Sequence, residues 1–201
     1  MKTLSVMLAV LALVGWSSIC QADITGTSLA DDGDGVLCCT TYGLQCVAPH
    51  EFQLNIDGTH DRFDTGNILG NIYTDTETDP SLTLLHDIDN DTGVTWGDYD
   101  AVVTMSKAFT IDNVTVDNTG WTSVVTQPVQ VGSDWVGDIH YYAGVPVAPL
   151  GDLSFGYRMT FIGSASFEED LTPSSVPEPG TLALLACGLV GLLVARRKFA
   201  R

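Results

Sequence analysis

The chain has 201 residues, 25 acidic against 8 basic side chains and a formal net charge of −17. So acidic a chain repels nucleic acid and anionic membrane surfaces, which excludes both as partners of its bulk. Once the two terminal segments are set aside, roughly 150 residues remain, the size of one domain.

Met1 to Ala22 carries one lysine, Lys2, an apolar core from Leu4 to Trp16, polar Ser17-Ser18 and then Cys20-Gln21-Ala22. Small residues at the last and third-last positions suit signal peptidase, so residues 1–22 read as a signal helix cleaved before Asp23. Ile19 stands where a lipobox needs a small residue, which rules against lipidation of Cys20.

Between Asp23 and Ser175 there are 24 acids and only three bases, Arg62, Lys107 and Arg158. Asp23 to Ala48 is rich in Gly, Asp and Thr and is expected to form a loose arm. Cys38, Cys39 and Cys46 allow one bridge in an oxidising compartment, from Cys46 to Cys38 or Cys39, with Cys39–Cys46 the pairing adopted. A zinc site is the alternative, but His50 and His60 lack finger-like spacing.

Seven runs rich in β-branched and aromatic residues then recur between Gly, Asn, Asp and Pro: Glu51 to Ile56, Ser81 to Asp87, Val94 to Met105, Ala108 to Val116, Trp121 to Val131, Asp134 to Ala143 and Leu153 to Ile162. Phe155, Tyr157, Met159 and Phe161 alternate as one buried face of a strand does. The pattern predicts a mainly β, antiparallel β-sandwich of jelly-roll or Ig-like type over residues 23–170, with low helix content. Phe167 to Ser175 reads as polar, and 171–175 as a linker.

The central stretch of this region is His86 to Asp100. Asp87, Asp89 and Asp91 alternate like the first three ligands of a calcium loop, and Asp98 falls at the twelfth position, so calcium is the one candidate cofactor. Against it, Thr92 stands where the loop glycine belongs, and Asn90-Asp91-Thr92-Gly93 equally suits a tight turn between strands. Asp31-Asp32-Gly33-Asp34-Gly35 is a second acidic loop of the same kind. His86 beside Asp87 reads as a surface pair. Trp96, Tyr99, Trp121, Trp135, Tyr141 and Tyr142 form either a core or a sugar-binding platform. No nucleophile elbow, zinc-protease helix or phosphate loop occurs, so no catalytic residue is assigned.

The C-terminal stretch has three parts in order: Val176-Pro177-Glu178-Pro179, an uncharged apolar run from Thr181 to Ala195, and Arg196-Arg197-Lys198. Paired prolines hold the first part extended and outside any helix. The apolar run is a short hydrophobic helix at 181–195, and the basic residues after it stay cytoplasmic. This 176–201 segment closely resembles the PEP-CTERM sorting signal of Gram-negative bacteria, also catalogued as an ice-binding protein C-terminal domain. The resemblance implies exosortase as a partner, transient residence in the inner membrane, and delivery to the cell surface or an exopolysaccharide matrix. The resulting expectation is an exported, non-catalytic surface or biofilm-matrix protein. The alternative is a secreted polysaccharide-active enzyme or carbohydrate-binding module.

Overall fold

A computed structural model describes residues 24–75, 80–176 and 187, side chains of 39–41 excepted. The expected signal helix, the proline box and the hydrophobic helix lie outside these residues.

Among the described residues, twelve strands make two sheets. They are β1 (Ile24–Thr27), β2 (Ala30–Asp31), β3 (Leu37–Ala48), β4 (Glu51–His60), β5 (Gly66–Thr74), β6 (Ser81–Asn90), β7 (Trp96–Met105), β8 (Phe109–Val116), β9 (Thr122–Val131), β10 (Asp134–Tyr142), β11 (Asp152–Phe161) and β12 (Ala165–Ser175). The first sheet has the order β1-β5-β12-β7-β10-β9, with β2 also on β5, and the second β3-β4-β6-β11-β8. Each strand presents alternate residues to the space between the sheets, as the period of two requires. Ile56, Leu84, Tyr157 and Met159 of the second sheet thereby join Ile68, Tyr99, Ile139 and Leu171 of the first in one buried cluster.

Three expectations are corrected. The supposed loose arm before Ala48 holds β1, β2 and β3, and β3 pairs with β4 along its length. The supposed linker at 171–175 is the second half of β12, which lies between β5 and β7 in the interior of its sheet. Its polarity misleads because the outward row of Glu168, Asp170 and Thr172 alternates with the buried row of Phe167, Glu169 and Leu171.

The third correction concerns pairing direction. β4 and β6 run parallel, from Glu51 opposite Ser81 to His60 opposite Asn90, in an otherwise antiparallel pair of sheets. Each strand crosses to the other sheet through a short turn, 61–65 for β4 and 91–95 for β6. The result is two arches thirty residues apart, with neighbouring first strands and with β12 between their second strands.

The cysteine pairing also fails on geometry. Cys39 sits opposite Gly58 and Cys46 opposite Phe52 along one continuous ladder. Their Cα atoms are thus separated by roughly 20 Å, six residues at about 3.3 Å each, far beyond disulfide reach. Cys38 is a free thiol, held 3.3 Å from an Asp61 carboxylate oxygen, whose acceptance of the S–H hydrogen bond pushes the thiol pKa up.

Close packing shows at Gly144, where an added Cβ would overlap the Trp121 indole. That indole is buried and donates to the Val145 carbonyl at 2.7 Å. Gly144→Ala is therefore expected to cost about 1–3 kcal/mol through overpacking, read as a lowered urea midpoint at unchanged slope.

Candidate functional sites

The calcium quartet does not assemble. Asp87 and Asp89 point outward from β6, because His86, Ile88 and Asn90 occupy its buried row. Asp87 instead accepts a hydrogen bond from Ser154 at 2.9 Å. Asp98 belongs to the opposite sheet and faces outward beside buried Tyr99, so the two ends of the proposed set lie on different outer faces. No group of three or more His, Cys, Asp or Glu side chains converges on a metal position among the described residues.

The segment acts as a turn. Asn90 is buried, donates to the carbonyls of Val94 (2.9 Å) and Val147 (3.1 Å), and accepts from the Thr92 hydroxyl (2.8 Å). That hydroxyl in turn accepts from the Trp96 indole at 3.2 Å, and Gly93 takes the positive φ of 73° that the turn demands. In the 31–35 acidic loop, Asp31, Asp32 and Asp34 each accept the backbone N–H two residues on. These are Asx turns, in which the carboxylates shape their own loop.

Of the six aromatic candidates, Trp96, Tyr99, Trp121 and Tyr141 are core residues, and Trp135 packs against the core. Tyr142 alone remains on the outer face with a polar neighbour, stacked on His140 at 5.1 Å.

Two titratable clusters emerge in their place. The first lies between the sheets. Glu169 occupies a buried-row position of β12, and its Oε2 meets His86 Nε2 of β6 at 2.9 Å, with both side chains 0% exposed. Its Oε1 accepts from the Tyr157 hydroxyl of β11 at 2.8 Å. Phe155 stacks on the imidazole at 4.4 Å, almost parallel to it. Burial, reinforced by the Glu169 charge, pushes both Tyr157 and Tyr141 upward, so both phenols are neutral. His86 is thus a core residue bound to Glu169, and not the surface partner of Asp87. Sequence inspection misses Glu169 because it sits in a Glu-Glu-Asp run that looks solvated.

The second cluster is on the outer face of the first sheet. Asp100 of β7 and His140 of β10 are direct cross-strand neighbours, with Oδ1 and Nδ1 2.5 Å apart and side chains 32% and 38% exposed. Asp138 lies one outward position away on β10. Partial burial, then the charge of Asp100, raises its pKa, while His140 opposes the shift. Asp170 of β12 is raised in the same way by burial and by Glu168 and Glu169.

The sorting segment begins inside the fold. Ser175 pairs with Trp96 at the last register position of β12, and the Val176 N–H donates to the Thr95 carbonyl at 3.3 Å. Gly97 makes room for Val176, since a Cβ there would come within 2.9 Å of a Val176 methyl.

Residues 175–198 match the family model of the PEP-CTERM protein-sorting motif. The chain carries a PEP-CTERM signal. It is thereby an exported protein, processed by exosortase and destined for the cell surface or the extracellular space. Val176 is the one proline-box residue within the described structure; Pro177, Glu178, Pro179, Arg196, Arg197 and Lys198 lie outside it. No curated protein and no solved structure matches the chain.

Proposed function

We propose that the PEP-CTERM protein is a non-catalytic component of the cell surface or exopolysaccharide matrix of a Gram-negative bacterium, with residues 24–176 as its exposed module. The observation that carries this reading is the sorting motif, which runs without a break out of an interior strand of the domain. Two features support it. The cluster with the most catalytic chemistry, His86, Glu169 and Tyr157, is closed off from solvent and from any substrate. Four of the six aromatic candidates stabilise the core and are not displayed.

The test is intact mass and fractionation of protein from the native host. The expected product starts at Asp23, lacks Thr181 to Arg201, and sediments with exopolysaccharide until a polysaccharide lyase releases it. Full-length protein retained in the inner membrane, or a product indifferent to the lyase, overturns the reading.

A second reading, a carbohydrate-binding or polysaccharide-active module, draws on Asp100, Asp138, His140 and Tyr142, which share one accessible face. Asp100→Asn separates the two, since only a sugar-handling face loses glycan retention or hydrolysis with it.

A further inference from the structure

The end of the sandwich from which the tail departs is unlike an ordinary domain terminus. Only residues 177–180 stand between Val176 and the apolar run that begins at Thr181. Five Cα steps reach at most about 18 Å even when fully extended. Val176 cannot lend slack, because it is hydrogen-bonded to Thr95 and seated over Gly97. While the tail occupies the membrane, this end of the folded domain is therefore held against whatever binds the proline box.

The same end carries apolar side chains that the fold does not use. Leu150 is 87% exposed and held there by a backbone at φ 66°, with its N–H bonded to the Asn90 carbonyl. Val145 is 60% exposed in the same loop, and Phe63 is 40% exposed in the turn after β4. That turn lies beside the turn after β6, since the Asp91 N–H donates to the His60 carbonyl. Between the 145–151 loop and the turn after β8 runs a groove lined by Asp117, Asn118, Val145, Pro146, Ala148 and Asp152. Asp61, Asp64 and Asp91 also mark this end, so an anionic lipid surface is a poor match for it. A protein with an apolar, basic-rimmed surface fits better.

We propose that this end of the sandwich is a docking face for the processing enzyme, so that the folded domain presents the proline box and forms part of the sorting signal. The proposal rests on the reading of the tail as an exosortase substrate. In it, β12 acts as a rigid stem, Thr95 and Gly97 fix its exit, and Leu150, Val145 and Phe63 make the apolar contact.

Pulse-chase in the native host, following conversion of the full-length chain to its tail-less product, tests it with three variants. Insertion of a Gly-Ser linker of about ten residues between Val176 and Pro177 uncouples the domain from the tail. Leu150→Asp with Phe63→Asp alters the face at exposed positions. Both are expected to slow conversion about tenfold, the loss that follows removal of an apolar anchor from an interface, with an unchanged melting temperature for the purified domain. Pro177→Ala with Pro179→Ala is the control for the tail itself. If that control blocks conversion while the other two variants mature at the native rate, the docking face is wrong and the tail reading stands. If the proline variant also matures normally, both are wrong.

Discussion

Glu169→Ala is expected to destabilise the domain by about 3–5 kcal/mol, because it leaves two buried hydrogen-bond partners unpaired at about 1–3 kcal/mol each. The carboxylate receives His86 on one oxygen and Tyr157 on the other, at 2.9 and 2.8 Å, in a site with no exposed surface. Its removal strands an imidazole and a phenol that have no water to turn to, and each unsatisfied buried group carries its own penalty.

The arrangement does not by itself imply net stabilisation. Replacing all three partners together, as His86→Leu, Glu169→Leu and Tyr157→Phe, removes the polar groups and their desolvation costs at once. The triple variant is expected to recover most of the loss. Urea unfolding followed by tryptophan fluorescence measures both. A triple variant as unstable as Glu169→Ala would mean that the cluster contributes favourable energy beyond satisfying its own members. A single variant costing under about 1 kcal/mol would mean that water reaches the site.

The same cluster shows how far the sequence could be read. Seven of the twelve described strands declare themselves as runs of β-branched and aromatic residues between turn residues, and β8 and β11 also by alternation. β5 was hidden by its glycines and asparagines, Gly66, Asn67, Gly70 and Asn71. Those glycines are there because neighbouring segments press close: a Cβ on Gly66 would overlap Leu37, and one on Gly70 would overlap the Ser28 carbonyl. β12 was hidden because Glu169 puts a carboxylate in the buried row, which cancels the period-two signal. Buried polar residues defeat pattern reading because their partners are remote; His86 lies 83 positions away from Glu169.

Linear information fared differently. The PEP-CTERM signal was legible in full, since an enzyme reads it as a contiguous segment and no fold is needed to assemble it. The acidic loops misled for the opposite reason. Alternating aspartates at 87, 89 and 91 are spaced like ligands, but β6 aims Asp87 and Asp89 along one outer face and Asp91 falls in the turn beyond it, so they share no common centre. The parallel pairing of β4 with β6 was equally invisible. Residues 51–60 and 81–90 pair in parallel with few residues in common, so this repeat exists in backbone pairing and burial alone.

Stability should fall as acid is added over the range set by His60. This histidine is 0% exposed, edge-on to Trp96 at 5.5 Å and to Tyr99 at 5.8 Å, with its Nε2 buried and unpartnered. Burial lowers its pKa from 6.5 to about 4, against the smaller opposing pull of the Arg62 carbonyl and the Asp61 charge. The folded state thus keeps a neutral ring between these values while the unfolded chain takes up a proton. Stability rises with pH from about 4 to 6.5, is fully present above that window, and loses nothing more from this group below it. A displacement of this size corresponds to about 3 kcal/mol. His60→Phe keeps the aromatic packing and removes the titration, so the difference between the two stability curves isolates His60 from every carboxylate that also protonates in acid. Parallel curves between pH 4 and 6.5 would show that the ring is already hydrated in the folded state. A wild-type curve that falls relative to the variant's by about 3 kcal/mol as the pH drops from 6.5 to 4 would place the acid-sensitive point beside Trp96, which pairs with both Ser175 and Val147. Acid would then loosen first the end of the sandwich that holds the start of the sorting signal.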